Sequence, residues 1–478
     1  MKTKNTFYVT TAIDYVNAEP HIGHAYQKII ADALARWHKL PGEDVFFLTG
    51  TDEHGKKIAN ASKNSNLSPK EFVDKMSKKF KEAWKKLNIK PDRFIRTTDK
   101  DHAKIVCDVT KKINKTNDIY KGVYEGFYCV DCESYLTEKE APDLICPIHK
   151  KPLEKLKEET YFFKLSRYQQ FLLDYYEKHP EFILPKERRN EVINRVKEGL
   201  KDLSITRTSI EWGIQFPFDK KHVFYVWYEA LINYYTATRK KGKEKFWPAD
   251  LHILGKDNTW FHCVIWPAML KSANLPITKS VFNHGFLTFN GQKISKSLGN
   301  VISPNTLVEK YEADTVRYFC LRHFPFGEDG DFSEKALIER HNNELANKLG
   351  NLVSRISALA EKYDIEKTTP LDSKNIVNKV INHINNIELD KALNEIFSFI
   401  DYLNEYIQKN KPWETQDKKI LYQLANGIKD VAILLFPFIP ETSEKIAKTF
   451  NFKISLKSLN SPLKLSKIKK AEILFRKI

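Results

Sequence analysis

The chain has 478 residues, 42% hydrophobic and 29% charged, with 78 Lys plus Arg against 61 Asp plus Glu. At roughly 150 residues per domain this length predicts about three domains, and the composition excludes general disorder. Six cysteines exclude a disulfide-stapled scaffold and point to a reducing compartment. There is no apolar run long enough (roughly 18 residues) to span a membrane. The formal net charge of +17 favours a polyanionic partner, although a lysine-rich proteome would give the same charge.

Residues 6–50 read as strand, helix and strand. Phe7-Tyr8-Val9 is a short β-rich run, and the N-terminus reaches it without the apolar region of a signal peptide. A helix is predicted over about 24–38, with Ile29, Ile30, Ala33, Leu34 and Trp37 at helical spacing and Pro41-Gly42 as its stop. The next strand is Asp44 to Gly50, and this order predicts a parallel crossover that opens a doubly wound sheet. A second helix is expected over 69–87, opened by Pro69. From about 118, short strands and charged loops suggest an insertion. Phe224-Tyr225-Val226-Trp227 and Leu251 to Gly255 predict later strands of the first domain. Helices are predicted over about 335–361, 374–387, 389–409, 415–434 and 440–449, which together make a bundle. The tail 451–478 has eight Lys or Arg residues against one acid, Glu472. The expected fold class is therefore α/β, a doubly wound parallel sheet (Rossmann-like) over 1–117 and 220–280. A domain inserted at 118–219, a linking region at 281–334 and an all-helical domain with a basic tail at 335–478 complete it.

Pro20-His21-Ile22-Gly23-His24 sits where the first long helix begins. Two imidazoles three residues apart share a face there and could donate to phosphate oxygens beside the positive helix end. Gly23 would admit a nucleotide ring close to the backbone. Taken alone, the same residues could form a metal half-site or an N-cap. Asn290 to Asn300 carries Lys293 and Lys296 on a glycine-flanked loop, which suits either a polyphosphate clamp or a plain basic surface. Cys129, Cys132, Cys146 and His149 have the paired spacing of one closed, structural Zn2+ site. Redox chemistry at Cys129 and Cys132 would leave the second pair unexplained. Cys107, Cys263 and Cys320 read as buried, quiet thiols.

Together, the histidine and lysine motifs resemble the paired signatures of class I aminoacyl-tRNA synthetases. Four further stretches are similar to the bacterial-type, methionine-specific family with a single zinc knuckle. These are Tyr15 to Pro20, Gly50-Thr51-Asp52-Glu53-His54-Gly55, Tyr225 to Ala230, and Phe261 to Leu270. The resemblance implies activation of L-methionine by ATP, with Mg2+, to methionyl-adenylate and pyrophosphate. The methionyl group then passes to the 3′-terminal ribose of tRNA(Met), including the initiator. It implies catalysis by His21, His24, Lys293 and Lys296, with Gly23 also at the ATP. Asp52 would take the methionine ammonium, and Ile13, Tyr15, Trp227, Ala230, Leu231, Tyr234, Asn258, His262 and Trp266 would line the pocket. Leu231 stands where some members have proline, and Asn258 where an apolar residue is usual. Region 281–334 would contact the tRNA stem, and Asn351, Arg355 and Trp413 would read the anticodon. Two alternatives are an inactive tRNA-binding relative and a class I synthetase for another amino acid. The intact histidine and lysine pairs oppose the first. The second is opposed by the lack of cysteine before Cys107 and of room for a large editing insertion. With no RNA-binding barrel evident after the bundle, a cytoplasmic monomer that does not engage membranes is expected.

Overall fold

A computed structural model describes residues 5–130, 134–136, 141, 143–147, 150–289, 291–293, 302–325, 327–459 and 461–478. The chain divides into two compact units. One comprises Met1–Pro20, Phe46–Ala83 and Pro91–Asn283; the other comprises His21–Val45, Trp84–Lys90 and His284–Ile478.

The first unit is built on a seven-stranded sheet among the described residues. Its order is Asp14–Tyr15, Asp44–Asp52, Thr6–Thr11, Leu251–Gly255, Ser280–His284 and Ile183–Leu184, with Arg93–Arg96 also paired to Asp44–Asp52. Thr6–Thr11 and Leu251–Gly255 run parallel, Val9 opposite Leu251. Asp44–Asp52 and Arg93–Arg96 also run parallel, Gly50 opposite Ile95. Strands of such a sheet are covered on both faces, which is why 45–48 and 251–254 are continuous buried runs that include no exposed residue. A Cβ on Gly50 would lie 2.0 Å from the Ile95 carbonyl oxygen, so that strand contact requires glycine. Outside this sheet, Ile119–Cys129 and Glu154–Phe163 form a long antiparallel ribbon, flanked by Ser134–Leu136 and Leu203–Ser204.

The strand expected at Phe224-Tyr225-Val226-Trp227 is not part of the parallel sheet. Val223–Phe224 pairs antiparallel with Thr206–Arg207, and the chain becomes helical over Val226–Leu231. Four consecutive apolar residues fit either period. Here the helix buries Val226, Tyr228, Glu229, Ala230 and Leu231 together.

The second unit contains helix Ile22–Lys39 and the expected bundle. Glu334–Arg340 continues through the π-helical His341–Gly350 into Asn351–Tyr363, followed by Lys374–Asn385, Leu389–Asn410, Lys418–Leu435 and Pro440–Thr449. The fourth predicted helix starts later than expected. Gln416 has a φ of 53°, and the Asp417 carboxylate caps the helix by accepting from the Lys419 and Ile420 N–H groups. The basic tail is anchored by buried Leu463, Ile468, Leu474 and Phe475.

One buried ion set ties this unit together. Arg317, on helix Ala313–His323, donates to the carbonyls of Pro437 and Phe438 at 3.0 Å each and pairs with Asp32 at 2.8 Å. Arg36 holds the same carboxylate at 2.6 Å. Burial opposes the Asp32 charge, yet the two guanidiniums and the Lys90 N–H hold its carboxyl below the usual range. Arg317→Met should cost about 3–5 kcal/mol in urea unfolding, because it takes one of two guanidiniums from a buried carboxylate and removes the donor to the Pro437 and Phe438 carbonyls. Asp32 has a depressed folded-state pKa. Its contribution is therefore complete above the ordinary carboxyl value of 3.8 and is lost as pH falls below it, where the gap between parent and variant should narrow to the part set by the two carbonyl bonds.

Candidate active site

The residues assigned to an amino-acid pocket fall in the first unit. Ile13 and Tyr15 follow the first strand and are half-buried, while Asp52 is buried at the end of its own strand. Tyr15 lies opposite Asp52 in a parallel pairing, and its hydroxyl donates to the His54 carbonyl at 2.7 Å. Helix Val226–Leu231 carries Trp227, Ala230 and Leu231, and Asn233–Ala237 carries Tyr234. His262 sits on the π-helical turn Phe261–Ile265, directly before Trp266. The Tyr234 hydroxyl donates to His262 Nε2 at 2.7 Å, and His262 Nδ1–H donates to the Asn258 carbonyl at 2.9 Å. Asn258 thus contributes through its main chain. Burial pushes the His262 imidazole down to about 4, so it is neutral at pH 7. Burial, together with the Asp52 and Asp14 charges, pushes the Tyr234 phenol well up. Trp227 stacks on Phe261 with centroids 4.1 Å apart, and Tyr234 lies 6.2 Å from Trp266. The result is a carboxylate beside neutral aromatic surfaces, a combination that suits an ammonium attached to an uncharged side chain.

The histidine motif falls in the second unit, at the start of helix Ile22–Lys39. The His21 and His24 rings stack at 3.7 Å. His24 Nδ1 accepts from the His21 N–H at 3.2 Å, and His21 Nδ1 accepts from the Gly23 N–H at 3.1 Å. With both Nδ1 atoms accepting, a neutral ring carries its proton on Nε2. Burial, His21 and Lys28 hold His24 well below the usual imidazole value. The Ile22 N–H donates to the Ile302 carbonyl at 3.0 Å, which ties the motif to the segment after the lysine loop. The Lys293 backbone lies in a hairpin strand opposite Thr288. Asp331 accepts from the Gly291 N–H and the Thr288 hydroxyl at the base of that hairpin. The Lys293 side chain and all of Lys296 lie outside the described residues.

Of the four predicted metal ligands, Cys129 and Cys146 are buried, while Cys132 and His149 lie outside the described residues. Among the described residues, Glu159, Asp219 and His222 also approach one another within 4.8 Å. Lys121 Nζ lies 2.8 Å from Glu159 and 3.4 Å from Asp219, so an ammonium already balances that cluster. In the helical bundle Asn351 is exposed, and the Arg355 guanidinium lies 4.2 Å from the Trp413 ring centroid.

Residues 7–155 and 143–357 match the family model for class I tRNA synthetases (M), and residues 372–476 match an anticodon-binding domain of tRNA ligases. The methionine–tRNA ligase of Caldanaerobacter subterraneus subsp. tengcongensis is 44% identical, the match covering 99% of this chain and 79% of that protein. That of Thermotoga maritima is 44% identical, covering 93% and 75%. Mycobacterium tuberculosis methionyl-tRNA synthetase in complex with methionyl-adenylate superposes with a TM-score of 0.95 at 37% identity, covering 98% of this chain and 99% of that one. The chain belongs to the methionyl-tRNA synthetase family. No helix among the described residues is long and apolar enough to cross a membrane.

Sequence reasoning about this methionyl-tRNA synthetase family member missed several supporting residues. Glu53 is fully buried and accepts from Thr51, Arg96 and Thr98. Glu229 joins His54 to His102, and Phe261 backs Trp227. The available signal was an acid inside each of two quoted motifs, flanked by apolar residues at Glu229 though not at Glu53. The structure also gives Gly23 a nearer reason than a nucleotide ring, since a Cβ there would lie 3.0 Å from His21 Cε1 and Nδ1. Gly23→Ala should stabilise the helix by up to about 1 kcal/mol and yet displace the His21 ring. Pyrophosphate exchange should fall on the order of tenfold or more while the melting temperature holds or rises. Exchange kinetics and a melting curve on one preparation check both.

Proposed function

We infer that this chain is a methionine–tRNA ligase that joins L-methionine to ATP and then charges tRNA(Met). The observation that carries the reading is the likeness, along 98% of the chain, to an enzyme solved with methionyl-adenylate. A methionine carboxylate oxygen bonds to the α-phosphorus of ATP as the bond to pyrophosphate breaks. The terminal ribose hydroxyl of tRNA then takes the methionyl group and AMP leaves. Asp52 pairs with the ammonium. Ile13, Tyr15, Trp227, Ala230, Leu231, Tyr234, His262 and Trp266 enclose the thioether, with Asn258 orienting His262. His21 and His24 donate from Nε2 to the ATP phosphates, and Lys293 and Lys296 neutralise pyrophosphate as its charge grows. Mg2+ accompanies the nucleotide. Asn351, Arg355 and Trp413 read the anticodon of elongator and initiator tRNA(Met), a role supported by the match of the bundle to an anticodon-binding domain. The enzyme is read as a cytoplasmic monomer.

ATP–pyrophosphate exchange across the twenty amino acids tests this reading. Stimulation by methionine alone is expected; no stimulation, or equal stimulation by another amino acid, overturns it. Trp413→Ala removes the ring beneath Arg355. Aminoacylation efficiency should fall about 5- to 150-fold while tRNA-independent exchange stays near the parent value. Equal losses in both reactions with a collapsed melting temperature would make Trp413 a packing residue.

We propose one structural Zn2+ held by Cys129, Cys132, Cys146 and His149. Cys129 and Cys146 are buried soft donors, and Cys146 heads a tight turn. Its N–H donates to the Lys151 carbonyl and its own carbonyl accepts from the Lys150 N–H, each at 2.8 Å. When bound, the ion cross-links loops that have little apolar core of their own. Elemental analysis should find about one zinc per chain, lost in Cys146→Ala. Metal-free parent protein would reject the site.

A further inference from the structure

The segment that carries Asp52 is held on several sides. Val16 N–H donates to the Asp52 carbonyl, and Glu53 N–H donates to Thr97 Oγ1. Trp212 Nε1–H donates to the Glu53 carbonyl at 2.6 Å, and Gly55 N–H donates to the Trp212 carbonyl at 3.3 Å. These contacts fix the loop to its neighbours in the sheet and to the 212 segment. The helix bearing Trp227, Ala230 and Leu231 is tied to it differently, through one carboxylate.

Glu229 lies in that helix and is fully buried. Its Oε1 is 2.7 Å from His54 Nδ1, two residues beyond Asp52, and its Oε2 is 2.9 Å from His102 Nε2. His102 is itself fully buried, with Nδ1 3.2 Å from the Thr236 hydroxyl, which donates to the Ile232 carbonyl. Both carboxylate oxygens are therefore engaged by rings from separate segments, and the far ring is braced by the segment that also carries Tyr234. Burial opposes charge on Glu229, but the two imidazoles more than offset it and hold the carboxyl below its usual range. A buried carboxylate with two ring partners has little freedom to shift, so it transmits the position of one segment to the other.

We propose that Glu229 is a positioning residue for methionine, setting the distance between the Asp52 segment and the helix that supplies Trp227, Ala230 and Leu231. Through His54 it fixes where the ammonium partner stands, and through its own helix it fixes the side-chain wall. The inference rests on the assignment of Asp52 and those three residues to methionine. Neither Glu229 nor His102 touches substrate in this scheme.

The test compares the parent protein with Asp52→Asn, Glu229→Gln and His102→Asn in methionine-dependent pyrophosphate exchange, and measures KM for methionine and for ATP. A glutamine side chain has one acceptor oxygen and so loses one of the two ring contacts. Glu229→Gln should raise KM for methionine about tenfold and leave KM for ATP within about twofold. His102→Asn frees the far oxygen only. It should shift KM for methionine in the same direction by a smaller factor, and it serves as the readout if Glu229→Gln does not fold. A merely structural role lowers the active fraction and the melting temperature without separating the two Michaelis constants. If Asp52→Asn leaves KM for methionine unchanged, the pocket assignment fails. If Asp52→Asn raises it while the other variants leave it unchanged, or raise both constants equally, the role of Glu229 is overturned.

Discussion

An ionised carboxylate removed from water must find donors on other segments, and that requirement organises each compact unit. In the first, Glu53 collects Thr51, Arg96 and Thr98, and Glu229 collects His54 and His102. In the second, Asp32 collects Arg36 and Arg317, while Arg317 also closes onto the Pro437 and Phe438 carbonyls. Replacing such sets wholesale with well-packed apolar side chains is often neutral or stabilising. Total stability therefore does not explain why charges stand in these interiors. Each stands beside, or on one helix with, residues proposed for the site. Glu53 and His54 directly follow Asp52, Glu229 lies between Trp227 and Ala230, and Asp32 is on the helix that begins at His21 and His24.

The same distances explain which parts were legible in the sequence. The first strand and helix, the strand Leu251–Gly255 and the bundle helices were legible because hydrophobic period and proline breaks are local signals. Phe224 to Trp227 misled because four apolar residues carry no period of their own, and the helix they enter is fixed by contacts made elsewhere. Glu229 has its ring partners 175 and 127 positions away, a separation that no window along the chain spans. The later start at Lys418 depended on a single positive φ at Gln416 and the cap from Asp417. For the candidate site, spacing alone left His21 and His24 open between an N-cap and a phosphate ligand. The two readings are compatible: the Nδ1 atoms cap the backbone, and capping is what assigns the protons to Nε2.

That assignment has a chemical consequence. His24 and His262 are both held neutral by burial, but the neutrality serves different ends. At His262, donation to the Asn258 carbonyl and acceptance from Tyr234 use both ring nitrogens and leave no net charge on the wall. On the proposed assignment Asp52 then sets the sign of the pocket, which suits a zwitterion whose only added group is an uncharged thioether. In the proposed scheme the neutral His24 ring donates a hydrogen bond to phosphate without bringing a full positive charge. Such a donor would orient a phosphate but neutralise little of it, whereas pyrophosphate gains charge as the α-phosphorus bond breaks. In that scheme charge compensation falls to the Mg2+ that accompanies the nucleotide and to lysine, which is protonated at pH 7 where His24 is not. On that proposal, the capping of helix Ile22–Lys39 suits the imidazoles to orienting a phosphate and leaves neutralisation to the ammoniums and the metal.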